Sequence, residues 1–378
     1  MPTDTTHSDL LGVDLTAVRD WMDAQGLGSG DLTAASPIGG GTQNVMLGFE
    51  RSGVHYVLRR GPKHLRPHSN RMMAREMTLL RALAGTTVPH PTFVAGSENT
   101  DILGAAFYLM HAVDGYNAAE SLAPGHAADR GARHRMGLAM VDALTELGRV
   151  DPVQIGLSDF GRPDGFLDRQ VARWSSELES YTLLPGYPTV LLPGVDRIAS
   201  WLDDHKPRTW TPGILHGDYH VSNVMFDRID PVLTAIVDWE MATIGDPLLD
   251  LGWMLAMWPD TDGGSDLLES RLAAAGGLPS RTELIDRYAA NTERDLSAID
   301  WYTALAGFKL GIILEGTYAR ACSGQHPPRS VIACTATPFD CSTALCGSST
   351  DASPTDRRYE RWHGISPPST NFSRSWTG

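Results

Sequence analysis

The sequence predicts an α+β fold in two lobes, a small β-rich one followed by a larger helical one. Three observations carry this. Apolar residues alternate with period two through much of the first third, whereas from about residue 130 they recur at helical spacing. Between the later helices lies a β-type insert, "ILHGDYHVSNVMFDRIDPVLTAIVDWE", which crowds His, Asp and Asn into one loop. Such a cluster binds a metal, activates a hydroxyl or satisfies a buried turn.

In chain order, Leu15, Val18, Trp21 and Met22 sit at helical spacing, with Gly26 as a stop. "SPIGGGTQNVMLGFERSGVHYVLRRGP" reads as two strands joined by "RSG". Val45, Leu47 and Phe49 alternate along the first; "HYVLRR" forms the second and ends at Gly61 and Pro62. "NRMMAREMTLLRALAG" is a helix, and "AAFYLMHAVDG" a strand ending in a hinge at Asp114 and Gly115. Helices follow at "RHRMGLAMVDALTELGRV", "FLDRQVARWSSELESY" and "VDRIASWLDDH". After the insert come "PLLDLGWMLAMW", "RTELIDRYAANT" and "DWYTALAGFKLGIILEGTYARA". The expected divisions are residues 1–112, 113–324 and a tail, 325–378. A cleft between the lobes is the expected ligand site.

The net charge of −14, from 45 acids against 31 bases, argues against a nucleic-acid or anionic-membrane partner. No apolar run reaches the ~18 residues a membrane span needs, and "MPTDTTHSDLLGVDL" has no secretory-signal pattern. The expected location is cytoplasmic. The cysteines are Cys322, Cys334, Cys341 and Cys346, in no zinc-binding spacing, so no disulfide framework is expected to hold the main fold.

"VMF" and "LTAIV", joined by "DRIDPV", form a hairpin signal. Centred near Ile229 and Asp230, the hairpin sets residue 223 across from about residue 236. Asn223 and Asp238 then emerge at one end, with Asp218 in the loop leading into it. A carboxylate and a carboxamide together suit Mg²⁺, which takes few protein ligands plus phosphates. A separate carboxylate accepts a proton from a hydroxyl.

"HGDYHVSNVMF" followed by "IVDWEMATIGDPLLDL" closely resembles the aminoglycoside phosphotransferase family of kinase-like small-molecule phosphotransferases. The family pattern is H-G-D-x-x-x-x-N, then D-[WF]-E, then G-D-P-x-x-D-L, and all three are present in order. The resemblance spans about residues 30 to 320. It implies a protein-kinase-like fold, ATP or GTP as donor, Mg²⁺, and a small-molecule hydroxyl as acceptor. It makes Asp218 the catalytic base, Asn223 and Asp238 the magnesium ligands, and His216 and Asp250 supports of the loop. His220 falls in the variable part, either structural or facing substrate.

The first third fits the same family. "GGGTQN", with Gly40, Gly41 and Thr42, stands where a phosphate-covering loop belongs. Arg59 takes the phosphate-binding position; it and Arg60 point to opposite faces of their strand. Glu76, on the next helix, is its expected partner, and backbone from His111 to Val113 is expected to hold adenine. "VDGYNAAESL" and "GFLDRQVARWSSELE" further resemble the kinase-like domains of acyl-CoA dehydrogenase fusion proteins.

Two other readings are compatible with these residues. One is a metal-dependent hydrolase using His216, Asp218, His220 and Asp238, although Gly217 stands where H-E-x-x-H has its Glu. The other is a non-catalytic nucleotide-binding protein.

The tail departs from the family pattern. Rich in Pro, Ser and Thr, it keeps neither period and is expected to be irregular. Limited proteolysis is expected to cut first near "SGQHPPRS" and to leave a stable, nucleotide-binding fragment. Strong amide protection across Cys334 to Cys346 would contradict this.

Overall fold

The computed structural model describes residues 9–39, 44–188, 192–259 and 269–324. Contacts divide the chain into residues 1–338 and 339–378, and every described residue lies in the first unit. The 325–378 tail falls outside the described residues.

Helix α1 (Leu15–Ala24) starts at Asp14, whose carboxylate accepts the N–H groups of Thr16 and Ala17. That satisfies donors a helix N-terminus otherwise leaves unpaired. Next comes an antiparallel sheet of β1 (Thr33–Pro37), β2 (Val45–Arg51), β3 (Val54–Arg60), β4 (Phe93–Ser97) and β5 (Phe107–His111). Its order is β1-β2-β3-β5-β4. The strands at Val45, Val54 and Phe107 match the alternation in the sequence. The pattern missed β1 and β4, which lie at the edges of the sheet and bury no residue fully.

Alternation assigns the faces. Leu47, Phe49, Tyr56, Leu58, Phe107 and Leu109 pack with Val18 and Met22 of α1. Val57, Tyr108 and Met110 turn the other way, toward Met73, Met77 and Leu80 of α2 (Ser69–Leu83). Arg59, two residues after Val57, therefore shares the α2 face. Arg60 takes the opposite one, where its guanidinium donates to the carbonyls of Leu103, Gly61 and Pro62.

The rest is largely helical: α3 (Arg130–Arg149), α4 (Gln170–Ser180), α5 (Val195–Asp204), α6 (Leu248–Met257), α7 (Arg281–Ala290) and α8 (Ile299–Cys322). Apolar on most sides, α8 packs against α4, α5 and α6, as such a helix must be buried. Among the described residues no helix is long and apolar enough to cross a membrane.

Two small antiparallel pairs interrupt the helices. Strand β6 (Gly213–Leu215) pairs with β9 (Thr243–Gly245), a contact no local pattern announces. Strand β7 (Val224–Phe226) pairs with β8 (Leu233–Ile236), with a register shift between Leu233 and Ala235. The sequence expectation set residue 223 across from about 236. The bulge at Thr234 moves this by one residue: Val224 faces Ile236, and the Val237 N–H donates to the Asn223 carbonyl at 2.9 Å. Asn223 and Asp238 still emerge at one end.

Candidate active site

The loop from His216 to Asn223 joins β6 to β7, and its backbone is held from below. Asp250, in the first turn of α6, accepts the N–H of His216 at 2.6 Å and of Gly217 at 2.8 Å. Burial pushes its carboxyl up to about 6, against the pull of those two donors. Gly217 has φ +85°, and a Cβ there would lie 2.7 Å from the Met241 carbonyl oxygen. Only glycine fits this turn. Asp250→Ala would leave two buried N–H groups unpaired, so it is expected to cost about 2–4 kcal/mol in a urea unfolding measurement.

His216 is fully buried and braces the loop. Its Nε2 lies 2.9 Å from the Val237 carbonyl, and its Nδ1 accepts the Asp218 N–H at 3.3 Å. The ring proton is thus on Nε2. Burial lowers its pKa and favours the neutral ring. Tyr219 and Trp239 meet it edge-on.

Asp218 is half-exposed. Its Oδ1 accepts the Trp253 indole N–H at 3.1 Å; its Oδ2 accepts the Asn223 amide at 3.2 Å and lies 3.3 Å from His220 Nε2. His220 Nδ1 accepts the Ser222 N–H, which leaves the ring proton on Nε2, facing Asp218. Burial pushes the Asp218 carboxyl up. The hydrogen bond from His220 and the nearby Lys309 ammonium outweigh burial and hold it below the usual carboxylate value. Asp218 is therefore ionised near neutrality. The Asn223 amide nitrogen also donates to the Asp218 carbonyl at 2.9 Å, leaving the amide oxygen to accept or ligate.

From the sheet, Arg59 reaches the same place. Its Nε donates to Glu76 Oε2 at 3.0 Å, and its Nη2 to Asp238 Oδ1 at 2.7 Å, with Glu240 Oε2 at 3.6 Å. Burial opposes the guanidinium charge, but Glu76 and Asp238 outweigh it and raise Arg59 above its ordinary value. Burial likewise pushes the Glu76 carboxyl up to about 7, with Arg59 pulling it back. Asp238 adopts the left-handed conformation, φ 65° and ψ 59°. Asp tolerates that better than most residues, and such backbone concentrates at functional sites.

The predicted residues Asp218, Asn223, Asp238, Arg59 and Glu76 are thus connected by direct contacts or through one intervening peptide group. Gly40, Gly41 and Thr42 lie outside the described residues; Asn44, just beyond them, donates to Glu240 Oε2 at 3.2 Å. At the hinge, the His111 N–H is taken by the Thr92 carbonyl at 2.9 Å, whereas the Val113 N–H has no partner among the described residues. Sequence reasoning assigned no role to Glu240, Trp253 or Lys309. Trp253 carried a signal, lying three residues after Asp250 and so on the same helix face. Lys309 carried another: it is the one charge between Trp301 and Leu314 in an apolar helix.

Asn223 Oδ1 and the second oxygen of Asp238 suit Mg²⁺, which binds through few protein ligands and donor phosphates. Among the described residues no group of three or more His, Cys, Asp or Glu is arranged to hold a metal. Zinc sites use three or four such ligands.

A family model for phosphotransferase enzymes (APH) matches residues 34–288. The chain belongs to this family. Acyl-CoA dehydrogenase family member 10 of Mus musculus is 29% identical over 278 residues, covering 71% of this chain and 25% of that protein. Family member 11 of Rattus norvegicus is 29% identical over 297 residues, covering 76% of this chain and 36% of that protein. The chain thus spans about a quarter to a third of those relatives. A Ralstonia eutropha crystal structure, described as a candidate aminoglycoside phosphotransferase, is 28% identical with TM-score 0.71, covering 85% of this chain and 94% of that one. The GDP complex of an aminoglycoside 2'-phosphotransferase-IIIa mutant (TM-score 0.53, 18% identity, 82% of this chain and 94% of that one) shares the fold. The phosphotransferase fold expected from the sequence, a small antiparallel sheet lobe with a helical lobe, is the one observed.

Proposed function

We propose that this chain moves the γ-phosphoryl group of ATP or GTP to a hydroxyl of a small molecule in the cytoplasm. The observation that carries the proposal is the 2.7 Å contact between Arg59 and Asp238. It joins a buried cation on the sheet to an acid at the hairpin end, where Asp218 and Asn223 already touch. In this reading residues 1–112 bind the donor nucleotide, with Gly40, Gly41 and Thr42 over its phosphates and the backbone from His111 to Val113 against its base. Since the His111 N–H is already engaged, Val113 is the donor left without a partner there among the described residues. Residues 113–324 supply the catalytic loop and the acceptor site.

Asp218 takes the proton of the acceptor hydroxyl as its oxygen attacks the γ-phosphorus. The bond to the bridging oxygen breaks, and the nucleoside diphosphate leaves with that electron pair. Arg59, aligned by Glu76, offsets phosphate charge. Asn223 and Asp238 would hold Mg²⁺, which supplies further positive charge to the phosphate oxygens. Most of the catalytic effect is then positioning and electrostatics.

The hydrolase alternative needs His216 as a ligand or base, and both its ring nitrogens are already engaged. The test is a screen for phosphoryl transfer from labelled ATP and GTP, with and without Mg²⁺, beginning with aminoglycosides and hydroxyacyl-CoA thioesters. Zinc-dependent hydrolysis without nucleotide turnover would overturn the proposal.

A further inference from the structure

Beside the catalytic loop, a pocket is walled by Phe166, Arg173, Trp174, Trp253, Leu305 and Lys309. Two of these are cations with little to bind. The Lys309 ammonium has three donors. Among the described residues it makes one hydrogen bond, to the Gly217 carbonyl at 3.0 Å. It lies 4.0 Å from the centre of the Trp253 ring and 5.6 Å from that of Trp174. Arg173 has only a 5.4 Å contact with the Trp174 ring and no hydrogen bond or ion pair among the described residues.

The carboxylate that lines the pocket, Asp250, already has both oxygens on the N–H groups of His216 and Gly217. Asp218 is taken up by Trp253, Asn223 and His220. Burial lowers the Lys309 ammonium below its ordinary value, and Asp218 and Asp250 offset this only in part. Two cations thus face a single lining carboxylate whose oxygens are already occupied, and neither cation has an ion-pair partner among the described residues.

We propose that this pocket binds the acceptor, and that the acceptor is a hydroxyl compound carrying a carboxylate or phosphate group. Lys309 and Arg173 hold the anion, while Trp174 and Trp253 flank the carbon chain. Trp253 ties the pocket to the chemistry, because the same indole donates to Asp218 Oδ1. A polycationic acceptor would set its amines against two unpaired cations. The assignment of this anion as the acceptor rests on the phosphotransfer reading; anion binding itself does not.

Matched six-carbon alcohols separate the two. The full chain is titrated calorimetrically with 6-hydroxyhexanoate, 6-hydroxyhexyl phosphate, 1,6-hexanediol and 6-amino-1-hexanol; phosphorylation of each from Mg·ATP is measured separately. The anions are expected to bind at least about tenfold tighter than the diol or the amine, as charge-assisted hydrogen bonds require. Comparing the two anions tells carboxylate from phosphate. Lys309→Met should abolish the preference and Lys309→Arg should retain it. Because Lys309 is partly buried, the exposed Arg173→Gln gives a second reading and should weaken anion binding alone.

Equal binding of the diol or amine, or a preference unchanged in Lys309→Met, would overturn the anion site. Lys309-dependent anion binding with no alcohol phosphorylated would support an anion site but overturn its acceptor role and the phosphotransfer reading. Preferred phosphorylation of the amine would keep phosphotransfer and overturn the charge assignment.

Discussion

Asp218→Asn is expected to fold, to bind Mg·ATP as the parent does, and to transfer phosphate about 10²–10⁴ times more slowly. The substitution keeps the shape. Its amide oxygen can still accept the Trp253 indole, now 3.1 Å from Oδ1. What goes is the basic oxygen that Asn223 and His220 hold ready on the other side. Nucleotide affinity should hold, because Arg59, Glu76, Asn223 and Asp238 are untouched. The pH profile offers a second check. Asp218 is held below the usual carboxylate value, so its own protonation should cost activity only in distinctly acidic solution, and an acid limb nearer neutrality that persists in Asp218→Asn would report Glu76 or Asp250 instead. Single-turnover rates with a productive acceptor measure the first effect, and near-normal turnover would remove Asp218 as the base.

Much of this arrangement was legible because its parts are local. The 3.6 and 2.0 periods locate the helices and the central strands, since each buries one face. The strand period alone placed Arg59 and Arg60 on opposite faces, as they are. The hairpin put Asn223 beside Asp238 within one residue; a bulge at Thr234 accounts for the difference. What stayed hidden depends on distant pairing. The edge strand β4 and the β6–β9 contact form, and the side chains of Trp253 and Lys309 meet the loop, only after the chain has folded. No spacing links Lys309 to Gly217, 92 residues away. Glu240 was visible in the D-W-E pattern, but its approach to Arg59 and Asn44 was not.

Asp238→Ala is expected to differ from Asp218→Asn in kind. A group that holds Mg²⁺ acts on the bound donor and on the transition state alike, so both nucleotide affinity and turnover should fall. The rate loss should reach at least about 10²–10³, as for removal of one strong electrostatic contact. Two side effects need separating from the metal. Arg59 loses its 2.7 Å partner, though Glu76 still binds it at 3.0 Å. Alanine at φ 65° also bears a backbone cost that Asp bears less of. Asp238→Asn removes the charge and keeps the left-handed tolerance, so it isolates the carboxylate. The decisive measurement is nucleotide affinity with and without Mg²⁺ in the parent and all three variants. Asp218→Asn should keep the full magnesium effect, and Asp238→Ala and Asp238→Asn should lose most of it. A magnesium effect unchanged in both Asp238 variants would take Asp238 out of the metal site and leave it as the partner that anchors Arg59.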